Sequence, residues 1–167
     1  MLSLAAMAVA AATARAGEDI TVPARVQAQL LVAVASFQSN MNLAADGSVQ
    51  ILVLTKNDDA GSERVARQLV GALGDVKKIA HHPHHELVEP FHDATTLAAT
   101  CRERHISIVY LSPGLDTAIP DVAQALRGTS VLTAGAVASF VQRGVALGFD
   151  LVSGRSEMLL NRTQMKA

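Results

Sequence analysis

Residues 105–116 read HISIVYLSPGLD, and the reading of this stretch decides the fold. Ile106–Leu111 is a short run, apolar almost throughout and rich in β-branched side chains. It closes on Ser112-Pro113-Gly114, which is turn chemistry. A short run that is apolar on both faces and ends in a turn belongs inside a sheet covered on both sides. On its amino-terminal side Asp93 can cap a helix through ATTLAATCRER, with Ala94, Leu97, Ala98 and Cys101 sharing one face. On its carboxyl side, after the loop SPGLDTAIP, the segment DVAQALRG reads as a short helix stopped by Gly128. Helix, buried strand, helix is the rhythm of βαβ units.

The same rhythm continues in both directions. VQILVLT (Val49–Thr55) is a second buried strand between the turns AADGS and KNDDAGS. ERVARQLVGAL follows as a helix, with Ser62 as its N-cap, Val65, Leu69 and Leu73 on one face, and Gly74 as its stop. A further strand is expected at Val76–Ala80. Earlier in the chain, Thr21 caps a helix through VPARVQAQLLVAVASFQSN, whose buried stripe would be Val26, Leu30, Val34, Phe37 and Met41. Later, TSVLTAG reads as a strand and AVASFVQRG as a short helix or turn. In GVALGFDLVSGRSEMLLN the period changes to two: Val145, Leu147, Phe149 and Leu151 alternate, SGR turns the chain, and Met158 and Leu160 alternate again. That predicts a β-hairpin with a half-buried face. The fold expected is α/β, a three-layer Rossmann-like sandwich with a mostly parallel sheet, right-handed crossovers and a C-terminal antiparallel β-hairpin at one edge.

Composition agrees. The 167 residues suit one domain. Half of them are hydrophobic but only 3% are aromatic and none is Trp, so the core must be aliphatic. A net charge of −1 with no cluster of Lys or Arg beyond the pair Lys77 and Lys78 argues against nucleic acid as a partner. The single cysteine excludes an internal disulfide. Residues 1–16 form a small-residue apolar run ending in Ala14-Arg15-Ala16, which reads as a secretory signal peptide, although no basic residue precedes Arg15. Its removal takes away Arg15 and moves the net charge from −1 to −2. The run is too short to span a membrane, so the expectation is one exported domain over residues 17–167 with no membrane insertion after cleavage.

The chemistry-bearing stretch is HHPHHELVEPFH. His81, His82, His84, His85 and His92, with Glu86 or Glu89, are candidate zinc or copper ligands. The spacing matches no ligand motif, adjacent histidines on extended chain point opposite ways, and Pro83 and Pro90 make a poor scaffold. Adventitious surface affinity for metal and a plain polar connection between strand and helix stand beside the metal reading, and the plain connection is preferred. No metal and no cofactor is therefore expected. Cys101 reads as a buried small hydrophobe. The loops that end the strands could form a ligand crevice at the carboxyl edge of the sheet, with Ser112, Gly114, Thr133 and Ser139 as small polar lining. Phosphate-binding glycine patterns are absent, and Asp58 and Asp59 would repel a phosphate. No nucleophile elbow or carboxylate couple stands out. The chain is read as non-enzymatic.

Taken together, the leader, the first helix, VQILVLTKNDD, HISIVYLSPGLD and the stretch Ser130–Asn161 resemble the YfiR-like family of small bacterial periplasmic proteins. The tail carries the likeness best, through Gly144, Phe149, Gly154 and Asn161. Family tails continue past this asparagine into a final helix that this chain does not include, and the paired cysteines used by some members are absent because Cys101 is alone. The resemblance implies a periplasmic regulator that binds an inner-membrane sensor protein and lowers the output of a diguanylate cyclase, the source of cyclic di-GMP. The alternative is a solute-binding accessory of a transport system. A docking protein needs exposed apolar surface, and Val145, Leu147, Phe149, Leu151, Met158 and Leu160 on the hairpin are the expected partner surface. A homodimer remains open.

Overall fold

A computed structural model describes residues 22–164. Residues 1–21, which hold the expected signal peptide and Thr21, and residues 165–167 lie outside the described part.

Six strands form one sheet in the order β2-β1-β3-β4-β5-β6. They are β1 (Val49–Thr55), β2 (His84–Pro90), β3 (Ile106–Leu111), β4 (Leu132–Gly135), β5 (Leu147–Val152) and β6 (Arg155–Leu160). All neighbours are parallel except β5 and β6, which form the antiparallel hairpin. The helices are α1 (Ala24–Ala35), α2 (Ala60–Gly74), α3 (Ala94–Glu103), α4 (Ile119–Ala125) and α5 (Ser139–Gln142). The α/β sandwich with a mostly parallel sheet and a terminal hairpin is thus as expected. The order 2-1-3-4-5 is the doubly wound arrangement in which the chain starts in the middle of the sheet and switches direction between β1 and β3. α1 packs on α2 across one face, and α3 packs on α4 across the other.

The central strands explain themselves. Every residue of β3 is buried, as the apolar run requires. The middle of β1 is fully buried too. One polar device ties a helix to this core. The Tyr110 hydroxyl donates to Gln27 Oε1 at 2.6 Å, and Gln27 Nε2 donates to the Val22 carbonyl at 2.8 Å. Gln27 and Tyr110 are both completely buried, so α1 is locked to β3 by a satisfied polar chain inside an aliphatic layer. Burial pushes the Tyr110 phenol far above its ordinary pKa.

Three local readings change. α1 ends at Ala35, because the Ser36 hydroxyl bonds back to the Val32 carbonyl and the next two amides, Phe37 and Gln38, make short-turn bonds to Val34 and Ala35. Its buried face is Gln27, Ala28, Leu31, Val34 and Ala35; Val26 and Leu30 sit at its margin, and Phe37 is 91% exposed. The cap position is Pro23, not Thr21. On α2 the N-cap is Asp59, whose carboxylate accepts from the Ser62 amide at 2.9 Å, while the Ser62 hydroxyl accepts from Lys56 N–H at 2.9 Å.

The third change is the largest. Val76–Ala80 is not a strand: Ala80 and His81 take left-handed φ values of 48° and 74°, turning Ile79 back onto His82. The strand comes later, at His84–Pro90, inside the histidine stretch. It is an edge strand, so one flank faces solvent and a polar sequence is tolerated. Phe91 N–H bonds the Thr55 carbonyl, so the preceding residue, Pro90, turns its donorless nitrogen to the open edge.

Candidate functional site

The hairpin is built by a two-residue turn in which Ser153 and Gly154 have φ of 51° and 77°, the left-handed pair that matches strand twist. Its register pairs Leu147 with Leu160, Phe149 with Met158, and Leu151 with Ser156. Opposite residues share a face, so Leu147, Phe149, Leu151, Met158 and Leu160 lie on one side. This is the side of Tyr110, because Tyr110 pairs with Ala134 and Ala134 with Leu147. Asn161 pins the far end: its amide donates to the Ala146 carbonyl at 2.8 Å and its side-chain nitrogen to the Val141 carbonyl at 3.1 Å.

The expected partner surface is only half present. Val145, Leu147 and Phe149 are buried in the core, because β5 is an interior strand and only its last residues outrun the helices. Met158 is half-buried, and Leu151 and Leu160 are exposed at 42% and 47%. The sequence reading missed Val152, which is 42% exposed on the opposite face of the same tip. Its neighbour Leu151 made alternation point to one face only. The apolar surface that remains is therefore the outer strip of the hairpin, along β6, which has no further neighbour in the sheet among the described residues.

The carboxyl edge of the sheet, where open α/β folds bind ligands, is closed by the protein itself between β1 and β3. The loops after β1 and β3 touch. A Cβ added at Gly114, which has φ +84°, would lie 3.0 Å from Lys56 Cδ and 3.5 Å from Asp59 Oδ2. Thr133 turns inward and its hydroxyl accepts from the Ala146 amide at 2.9 Å. Ser112 is fully buried, its amide on the Leu54 carbonyl and its hydroxyl without a hydrogen-bond partner. Beside the switch point a hollow of about 260 Å³ lies between Thr55, Lys56, Glu63 and Arg67. Glu63 and Arg67, one turn apart on α2, pair at 3.4 Å along its wall.

The histidines separate rather than converge. His82 Nδ1 meets the Gly47 carbonyl at 3.0 Å. His84, half-buried on β2, lies between the Glu86 carboxylate and the Val76 carbonyl. His85 projects to the other side of the strand, 4.0 Å from the Asp46 carboxylate, with both side chains more than half exposed. His81 and His92 are exposed. Among the described residues no three His, Cys, Asp or Glu side chains gather as a metal would require. The stretch is thus part strand and part turn, and not the plain polar connection expected.

A second hollow, of larger volume, lies at the opposite, amino-terminal edge. A cleft of about 510 Å³ opens between α3 and α4. Ala98, Cys101 and Leu126 form its floor; Asn42, Arg102 and Ser130 stand at its rim. Burial, reinforced by the Glu89 charge, pushes the Cys101 thiol up to about 11, so it is protonated near neutral pH. Sequence periodicity placed Cys101 on the core face correctly, and gave no sign that the core is open there.

No protein-family model matches this chain, and no curated protein matches it. Among the described residues no helix is long and apolar enough to cross a membrane.

Proposed function

We propose that this chain is a non-enzymatic regulatory protein, exported to the periplasm, that docks through the outer strip of its β5–β6 hairpin onto an inner-membrane signalling partner. The observation that carries the reading is the pairing of an edge strand with Leu151, Val152 and Leu160, which cluster there while the other exposed large apolar side chains among the described residues, Phe37 and Val88, stand singly. β-Strand addition at such an edge supplies main-chain hydrogen bonds, and the alternating side chains supply selectivity. The other edge is guarded: β2 carries Glu86 and Glu89 and is framed by Pro83 and Pro90. The likeness of the tail to YfiR-like proteins supports a diguanylate cyclase as the partner, with repression as the effect.

The test is recovery of partners from inner membranes on the immobilised full chain, paired with cyclic di-GMP measurement after deletion of the gene. A sensor protein recovered by the parent and lost with Leu151→Ser and Leu160→Ser supports the proposal. Recovery of none, with cyclic di-GMP unchanged, overturns it. Solute binding at the carboxyl-edge crevice has less support, because Lys56 packs against Gly114 at the switch point and the hollow left beside it is only about 260 Å³.

A further inference from the structure

We propose that the cleft between α3 and α4 is a binding site for a small monocarboxylate with an apolar body. The inference is independent of the docking surface, which is built from β5 and β6, neither of which contributes a residue to the cleft.

The cleft, at about 510 Å³, is in the range of small-molecule sites. Its lining divides by chemistry. The floor is made of small apolar side chains, Ala98, Ala125 and Leu126, with the thiol of Cys101 among them. Leu126 and Cys101 are already buried, at 7% and 5% exposure, so the apolar contact that a ligand body gains comes mainly from the half-buried Met41, Ala98, Ala125 and Val131. Among the described residues no carboxylate lines the cleft, and Arg102 is the one charged side chain that does. Arg102 makes no ion pair and no side-chain hydrogen bond among the described residues, so its guanidinium is available to a carboxylate, which it matches in a fork geometry.

The walls are held in place without a ligand. The Ser107 hydroxyl bonds the Asn42 carbonyl, which fixes the rim segment against β3. The Thr129 hydroxyl accepts its place from the α4 terminus by donating to the Leu126 carbonyl at 2.7 Å. Arg102 supplies the attraction for an anion, and the negative carbonyl end of α3 limits it, so a single carboxylate is favoured over a phosphate, a nucleotide or a dicarboxylate.

Cys101 makes the test direct, since it is the only cysteine in the chain and lies in the floor. Octanoate and 1-octanol serve as probes on the full chain, read by the rate of Cys101 alkylation at fixed mildly alkaline pH and by thermal shift. Octanoate slows alkylation and raises the melting temperature. Arg102→Gln weakens octanoate at least tenfold, the effect of losing one charge-assisted hydrogen bond, and leaves 1-octanol protection as it was. Ala98→Phe, which fills the cleft, removes protection by both. Ser130→Phe fills it from the exposed rim if Ala98→Phe does not fold, as judged by circular dichroism. Alkylation unaffected by octanoate, equal protection in Arg102→Gln, or protection surviving a folded filling variant each overturns the proposal.

Discussion

Replacing Tyr110 by Phe tests whether the buried polar chain holds α1 on the sheet. The substitution keeps the ring and removes one oxygen, so it opens almost no cavity. It leaves Gln27 Oε1, completely buried, without the donor that stood 2.6 Å away. A buried acceptor stripped of its partner costs about 1–3 kcal/mol. Gln27→Met keeps much of the volume but orphans both the Tyr110 hydroxyl and the Val22 carbonyl, so it costs at least as much. The double variant removes both ends of the Tyr110–Gln27 bond, and replacing both partners by apolar groups is far cheaper than orphaning one. The double variant is therefore less destabilised than the sum of the singles, with a coupling of about 1 kcal/mol or more. For a chain of this size each kcal/mol lowers the melting temperature by roughly 2–4 °C. Urea unfolding monitored by circular dichroism, with the four proteins compared at constant slope, reads the cycle. A Tyr110→Phe protein within about 0.5 kcal/mol of the parent, or strictly additive singles, refutes the reasoning.

Three other outcomes follow from single sites. Gly135→Ala places a Cβ 2.7 Å from Phe140 Cδ2 and 3.0 Å from Phe140 Cβ, and Phe140 is fully buried with no room to retreat; a loss of about 1–3 kcal/mol in urea unfolding is expected, and a neutral variant would show that α5 can lift. Asp93 caps α3 through the Thr96 amide and hydroxyl, which hold its carboxyl below the ordinary value. Its capping contribution is complete above the ordinary carboxylate pKa and drains as pH falls through the lowered one, so Asp93→Asn, a cap that does not titrate, flattens the acid limb of the stability profile. Lastly, the alkylation rate of Cys101 rises with pH without levelling near the free-thiol value of about 8.5, because burial holds the thiol at about 11; a plateau near 8.5 would mean that the floor of the cleft is open to water.

The elements that the chain announces are those whose own pattern suffices. β1 and β3 occupy the spans expected, Val49–Thr55 and Ile106–Leu111, because strands buried on both faces must be continuously apolar wherever they lie. Asp93 caps α3 by a bond three residues away, a purely local event. The hairpin is announced by alternation around Ser153 and Gly154, again within a few residues. β2 was hidden, since an edge strand needs apolar residues only where a helix covers it, and Leu87 is the side chain it packs most plainly into the core.

The candidate surfaces were less legible. Periodicity showed that Leu147, Phe149, Leu151, Met158 and Leu160 share a face, and only the reach of the packed helices divides that face into buried and exposed halves. It likewise put Cys101 on the inner side of α3, while the separation of α3 and α4 made an open cleft there, with Arg102 at its rim. Local pattern thus determines the interior strands β1 and β3, the cap of α3 and the hairpin turn, because those depend on neighbours along the chain. Strand order, the closure of the carboxyl edge by Lys56 against Gly114, and the opening at the amino edge depend on groups far apart in sequence meeting in space. Only the assembled sheet and its two helical layers decide them.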